Sequence, residues 1–179
     1  MDDPIDDGLI ILHKRIKFLW FAVLTGMVTI IFISWLVYNF QLIELKPVVN
    51  QQNADKVTLV VIVIIVLLMF FLKRSYLMAS KIKQKAQKNI DRLNRAEFAF
   101  LALDREDHAL FAASASYLNK IYLMIWALAE LIILVAFINF VLAPALNTFF
   151  IYSIVALYAL ISNYPSIQVY RKLYNYIIP

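Results

Sequence analysis

The chain has 179 residues, 63% of them apolar and 16% charged, and its mean hydropathy is +0.76. A water-soluble domain carries charge on about 25% of its positions, so this composition excludes an ordinary soluble fold. The balance of 17 Lys and Arg against 12 Asp and Glu is mildly basic, and the absence of cysteine excludes disulfides and thiolate metal sites.

The apolar residues gather into uncharged runs close to the roughly 20 residues that cross about 30 Å of hydrocarbon as a helix. They predict an all-α polytopic membrane protein with four transmembrane helices and a cytoplasmic helical segment between the second and third. Residues 1–17 form a polar N-terminal segment, in which Asp2, Asp3, Asp6 and Asp7 precede His13, Lys14, Arg15 and Lys17. The apolar run after it is longer than a signal-peptide core and has no A-x-A site, so the first span is expected to stay in the mature protein. That span lies within 18–43, and a polar loop over 44–56 connects it to the second, 57–72. The second run is short, but Lys56, Lys73 and Arg74 at its ends can reach the headgroups with their long side chains.

Residues 73–120 are the one substantial polar segment. They contain no Gly or Pro and are rich in Ala, Leu, Lys, Gln and Glu, which is helical chemistry. Asp104 resembles a helix N-cap, with Glu106 and Asp107 well placed for the helix dipole. An outgoing helix, a turn near Leu103 and a returning helix follow. The outgoing arm of about 30 residues is roughly 45 Å long and the returning one of about 16 only roughly 24 Å, so the outgoing arm must bend or lie along the membrane. Lys81, Lys85, Lys88, Arg92 and Arg95 fall on one helical stripe, beside an apolar stripe of Ile82, Ala86, Leu93, Ala96 and Phe100. Such a helix suits contact with anionic headgroups or with a partner, and a plainly solvated face is the simpler alternative. No aromatic platform or recognised fold accompanies the stripe, so nucleic acid is not an expected partner.

The second apolar hairpin covers 121–164, with spans over 121–143 and 148–164 joined by "APALN", where Pro144 and Asn147 stop and restart helices. Pro165 ends or kinks the last span, leaving 165–179 as a tyrosine-rich interfacial tail. Trp20, Trp35, Tyr38, Tyr122 and Trp126 fall near span ends, where amphipathic rings favour the interface. Of the 17 Lys and Arg, ten lie in 73–120, while only Lys46 and Lys56 lie in the first loop. The positive-inside rule therefore puts both termini and the central segment in the cytoplasm of a bacterial inner membrane.

Chemistry-bearing motifs are few. With only Gly8 and Gly26 there is no phosphate-binding loop, and His13 and His108 show no metal-ligand spacing. Asp104, Glu106 and Asp107 point apart on a helix and are better explained by capping than by a hard cation. No nucleophile, base and orienting group assemble, so neither an enzyme nor a cofactor is expected.

What remains is polar residues inside the apolar runs: Glu130, Asn139, Ser153, Tyr158 and Ser162. Asn139 and Ser153 suit interhelical bonding. Glu130, in "MIWALAELIILVAF", lies about ten residues or some 15 Å into its span, too deep to reach the interface, and intramembrane acids are functional candidates by default. Counting back across "APALN" matches its depth to 157–162, so Tyr158 or Ser162 is expected to bond it, with the first two spans closing a pocket that favours the neutral acid.

A tight apolar hairpin with one carboxyl halfway along a helix resembles the proton-carrying rotor subunit of rotary ATP synthases. The "WALAE" stretch with a proline after the second helix is also similar to small four-span bacterial membrane proteins. The resemblance covers roughly 117–174, and it implies a proton-carrying position at Glu130. The chain lacks the rotor's glycine-rich helix and its polar cytoplasmic loop. The expected function is a non-enzymatic accessory or assembly subunit of a larger membrane complex, with the bilayer and other membrane subunits or further copies as partners. Proton or ion translocation through Glu130 is the alternative.

Overall fold

The computed structural model describes residues 4–41, 45–88, 90 and 106–178. Within them the chain is all-helical, with six helices: α1 (Pro4–Asn39), α2 (Gln51–Tyr76), α3 (Ala79–Gln87), α4 (Glu106–Leu142), α5 (Leu146–Ile161) and α6 (Ile167–Ile177). Three stretches are long and apolar enough to cross a membrane, Gly8–Asn39, Gln51–Tyr76 and Asp107–Leu142, and the apolar helix Leu146–Ile161 is shorter.

The helix boundaries follow local chemistry. Pro4 opens α1, where its missing N–H costs nothing, and the helix continues through the basic cluster rather than starting at residue 18. It ends before Gln41, whose φ of 48° is left-handed and stops propagation. Helix α2 starts at Gln51, six residues earlier than the apolar run, because Asn50 caps it: its Oδ1 accepts from the Gln52 N–H at 3.0 Å. Part of the loop expected over 44–56 is therefore helix.

Helix α2 stops at Tyr76 and α3 begins at Ala79, with Met78 extended between them at φ −78° and ψ 128°. The outgoing arm, expected to bend or to lie along the membrane, is interrupted here. Asp104, the turn near Leu103, Arg92 and Arg95 lie outside the described residues. From Glu106 the chain runs as one helix to Leu142. The residues expected as an interfacial tail instead form α6, whose N-cap Ser166 accepts from the Gln168 N–H.

The chain divides into two compact units. The first combines Met1–Leu19, Leu72–Met124 and Tyr164–Pro179; the second combines Trp20–Phe71 and Ile125–Asn163. In the first, Phe111, Ala112, Ala115 and Leu118 of α4 are buried together with Tyr170, Leu173 and Ile177 of α6 and Ile82 and Ala86 of α3. Tyr170, fully buried, donates to Asn119 Oδ1 at 2.5 Å, Phe111 meets Tyr174 edge to face at 5.3 Å, and Lys83 Nζ lies 5.7 Å from the centre of the Tyr176 ring.

Burial, then the nearby Tyr122 hydroxyl, pushes the Tyr170 phenol well above its ordinary 10.0. The folded state thus keeps a proton that the unfolded chain releases above about pH 10. Stability from this group is complete below that pH and is expected to decline as pH rises past it. Tyr170→Phe should flatten the decline, as read by thermal unfolding of the detergent-solubilised chain at pH 9 to 11.

In the second unit the buried stripe of α4 is Trp126, Ala129, Ile132, Ile133, Ala136 and Phe140, and Phe149, Ala156 and Leu160 of α5 and Met27 of α1 are buried as well. Phe140 and Phe149 meet at 5.4 Å between ring centres. Trp126 is fully buried and Tyr122, in the first unit, is 5% exposed. Both were expected at the interface, but their positions on α4 put them on its packed face. Trp126 donates through Nε1 to the Asn163 carbonyl at 3.1 Å, and Trp20 donates to the Leu160 carbonyl at 3.2 Å.

Candidate functional site

Two polar features lie in the second unit, and both involve α4. The first is Glu130. Helical geometry turns each residue by about 100°. Ala129, Ile132, Ile133 and Ala136 are fully buried on one side, while Ala127, Leu131, Leu134 and Ile138 are exposed on the other. Glu130 falls at the edge of the exposed stripe and is half-buried. Among the described residues nothing donates a hydrogen bond to its carboxyl and no cation pairs with it, and its oxygens are open to the surface of the chain.

The partners expected for it are elsewhere. Tyr158 is 72% exposed, and Ser162 is exposed and donates back to the Ala159 carbonyl at 3.2 Å. The expectation of a pocket closed around Glu130 by its own chain is therefore corrected. Tyr158 lies on an exposed face of α5 and Ser162 just past its end, and Glu130 is one step round α4 from the packed face.

The second feature is a polar knot at the ends of α2, α4 and α5. Asn139, 4% exposed, donates through Nδ2 to Asp55 Oδ1 at 2.8 Å, and the Tyr152 hydroxyl donates to the Asp55 carbonyl at 3.3 Å. The Val48 and Val49 N–H groups cap the last carbonyl of α4, Leu142, at 2.9 and 3.4 Å. Asn139 Oδ1 is buried with no partner. An unpaired buried acceptor costs about 1–3 kcal/mol. Ser153, 2% exposed, donates within its own helix to the Phe149 carbonyl at 2.8 Å.

Beside the knot is a cavity of about 450 Å³ between α2 and α4, walled by Asn53, Ala54, Thr58 and Val61 on one side and Val135 and Asn139 on the other. Its size falls within the range of small-molecule sites.

Asp55 lies in the stretch 44–56, which the sequence predicts as a loop, and neither it nor Tyr152 belongs to a motif that marks a site. The available signal was Asn50: read as an N-cap, it places Asp55 one turn into α2, level with the end of α4. The basic stripe is divided. Lys81, Lys85 and Lys88 are exposed on or just after α3, whereas Ile82 and Ala86, the apolar residues beside them, are 3% and 1% exposed. Those two side chains pack within the first unit and have nothing left to insert into lipid. His108 is half-buried. Among the described residues no three His, Asp or Glu side chains are grouped to hold a metal ion. Comparison with protein-family models, curated proteins and solved structures finds no match for the chain.

Proposed function

We propose that this chain is a non-enzymatic integral membrane protein that acts by association, as an accessory or assembly subunit of a larger complex in a bacterial inner membrane. Glu130 carries this reading. Its carboxyl is half-buried on an outward stripe of α4, about 18 Å in from the Leu142 end, and has no partner among the described residues. An acid in hydrocarbon is costly when ionised and poorly satisfied when neutral. A second membrane helix presenting Lys, Arg or a hydrogen-bonding side chain against Ala127, Glu130, Leu131 and Leu134 supplies what the chain lacks. The test compares wild type with Glu130→Leu and Glu130→Gln for retention of co-purifying membrane subunits in mild detergent, identified by mass spectrometry.

The proposed arrangement has four spans, α1, α2, α4 and α5. Helix α5 has 16 residues, about 24 Å, and spans with modest local thinning of the bilayer. Both termini and 73–120 are cytoplasmic, following the clustering of Lys and Arg, and Lys81, Lys85 and Lys88 then face anionic headgroups through charge alone. Cysteines introduced at Asn53 and Ala145 should react in intact cells with an impermeant thiol reagent, while one at Lys88 should not. Labelling at Lys88 in sealed cells reverses the topology.

The second reading, proton or ion translocation through Glu130 in the manner of the rotor hairpins it resembles, draws on the same outward carboxyl. A relay also needs polar groups at successive depths. Ser153 is instead bonded within its helix and Asn139 is engaged with Asp55, which favours association.

A further inference from the structure

We infer that the paired helices α3 and α6 bind the phosphates of an anionic phospholipid, and hold a head group with two phosphates better than one with a single phosphate. The inference rests on the reading of α2 and α5 as membrane spans and not on the role of Glu130. In the first unit α3 and α6 pack against each other. Lys81, Lys83 and Lys85 lie on α3, Lys88 follows it directly, and Arg171 and Lys172 lie on α6, while neither helix contains an acid. Like charges on neighbouring helices repel. An anion placed between them turns that repulsion into attraction.

Two of these cations are brought to one point. Lys83 Nζ lies 5.7 Å from the centre of the Tyr176 ring, and Lys172, one turn earlier on α6, shares the exposed side of that helix with Tyr176. The ring, 49% exposed, orders the Lys83 stem and leaves ammonium N–H groups free to donate. No carboxylate among the described residues pairs with Lys83 or Lys172. A phosphate, charged and rich in acceptor oxygens, is the matching group. Lys81 to Lys88 extend over about 10 Å, farther than one phosphate reaches, which gives a second phosphate its place. Position selects a lipid over a soluble anion. Helix α3 opens at Ala79, three residues past the end of α2, and α6 at Ile167, six past the end of α5. Lys83 and Lys172 lie only about 6 and 8 Å along their helices, which matches a headgroup layer roughly 5–8 Å deep.

The experiment uses the full chain in mild non-ionic detergent and native mass spectrometry to count retained cardiolipin, phosphatidylglycerol and phosphatidylcholine of matched acyl chains. Cardiolipin is expected to be retained at least about fivefold over phosphatidylcholine, with phosphatidylglycerol between them. Lys83→Gln with Lys172→Gln should cut cardiolipin retention at least about fivefold. Lys14→Gln with Lys17→Gln removes the same charge from exposed positions on α1 and should leave retention within about twofold, since charge away from the site is screened. Lys83→Arg keeps the cation on the ring and should retain the lipid, while Tyr176→Leu, which changes no charge, should lower retention about twofold. All these variants keep good helix formers or exposed positions, and circular dichroism checks that they fold. Equal losses in the two double variants, or displacement of cardiolipin by an equal concentration of inorganic pyrophosphate, overturns the assignment. So does a signal that appears only with an acidic peptide. Equal retention of all three lipids overturns the site alone, whereas a chain that retains none of them loses its spans and the site together.

Discussion

Glu130→Leu is expected to leave the isolated chain at least as stable as the wild type while lowering the recovery of its partner-bound complex about tenfold or more. The two halves of this result have different causes. Among the described residues the carboxyl bonds nothing, so its loss removes none of their contacts and relieves the exposure of an acid to hydrocarbon, which costs about 2.5–3.5 kcal/mol when charged at a helix centre. In the complex the lost contact is a hydrogen bond worth roughly 0.6–2 kcal/mol, or an ion pair whose breaking costs about 3–5 kcal/mol because the partner's cation is stranded. Since 1.4 kcal/mol is tenfold in an equilibrium, the size of the loss identifies the partner group. Glu130→Gln refines it. Retention within a few-fold of wild type indicates a neutral hydrogen bond, and a loss matching that of Leu indicates a cation. A complex intact in Gln but with proton movement abolished would transfer the case to translocation. If Leu leaves complex, stability and cellular phenotype unchanged, the association role of Glu130 is lost.

Trp126→Ala should destabilise the chain by about 3–5 kcal/mol, the range for emptying a large aromatic site, whereas an interfacial tryptophan would lose far less. The ring is fully buried beside Ala129 and Ile133, and its Nε1–H satisfies the Asn163 carbonyl at 3.1 Å. In a membrane the cost comes from lost packing and an orphaned carbonyl rather than from water exclusion. Trp126→Phe keeps most of the ring and should cost about 1–2 kcal/mol, near the value of the hydrogen bond alone. Reversible unfolding in mixed micelles of increasing SDS measures both. Equal stability of wild type and the alanine variant would return Trp126 to the interface.

The apolar runs were legible because length and composition alone decide whether a helix can cross hydrocarbon: three of them fall on α1, α2 and α4, which are long and apolar enough, and the fourth falls on the shorter α5. Which side of each helix is packed was not. Glu130 and Trp126 show why: one residue turns a helix by about 100°, so a span assigned only by its ends carries no information about facing. The Asp55 to Asn139 bond joins positions 84 residues apart, beyond any local pattern. Helix α6 was readable, since Tyr170, Leu173 and Ile177 have amphipathic spacing, but the preceding proline suggested a tail. Nothing in the residues at Leu77 and Met78 explains the break between α2 and α3.

The knot at Asp55 also has a consequence in time. A ribosome adding about 5–20 residues per second delivers Asn139 roughly 4–17 s after Asp55, because 84 positions separate them. Once Tyr76 is added α1 and α2 are complete, and for the rest of that interval Leu142 has not arrived to anchor Val48 and Val49 and Asp55 lacks its bond from Asn139. The first helix pair is therefore born provisional, able to slide or tilt in the bilayer, and its register is fixed only when the far end of α4 emerges.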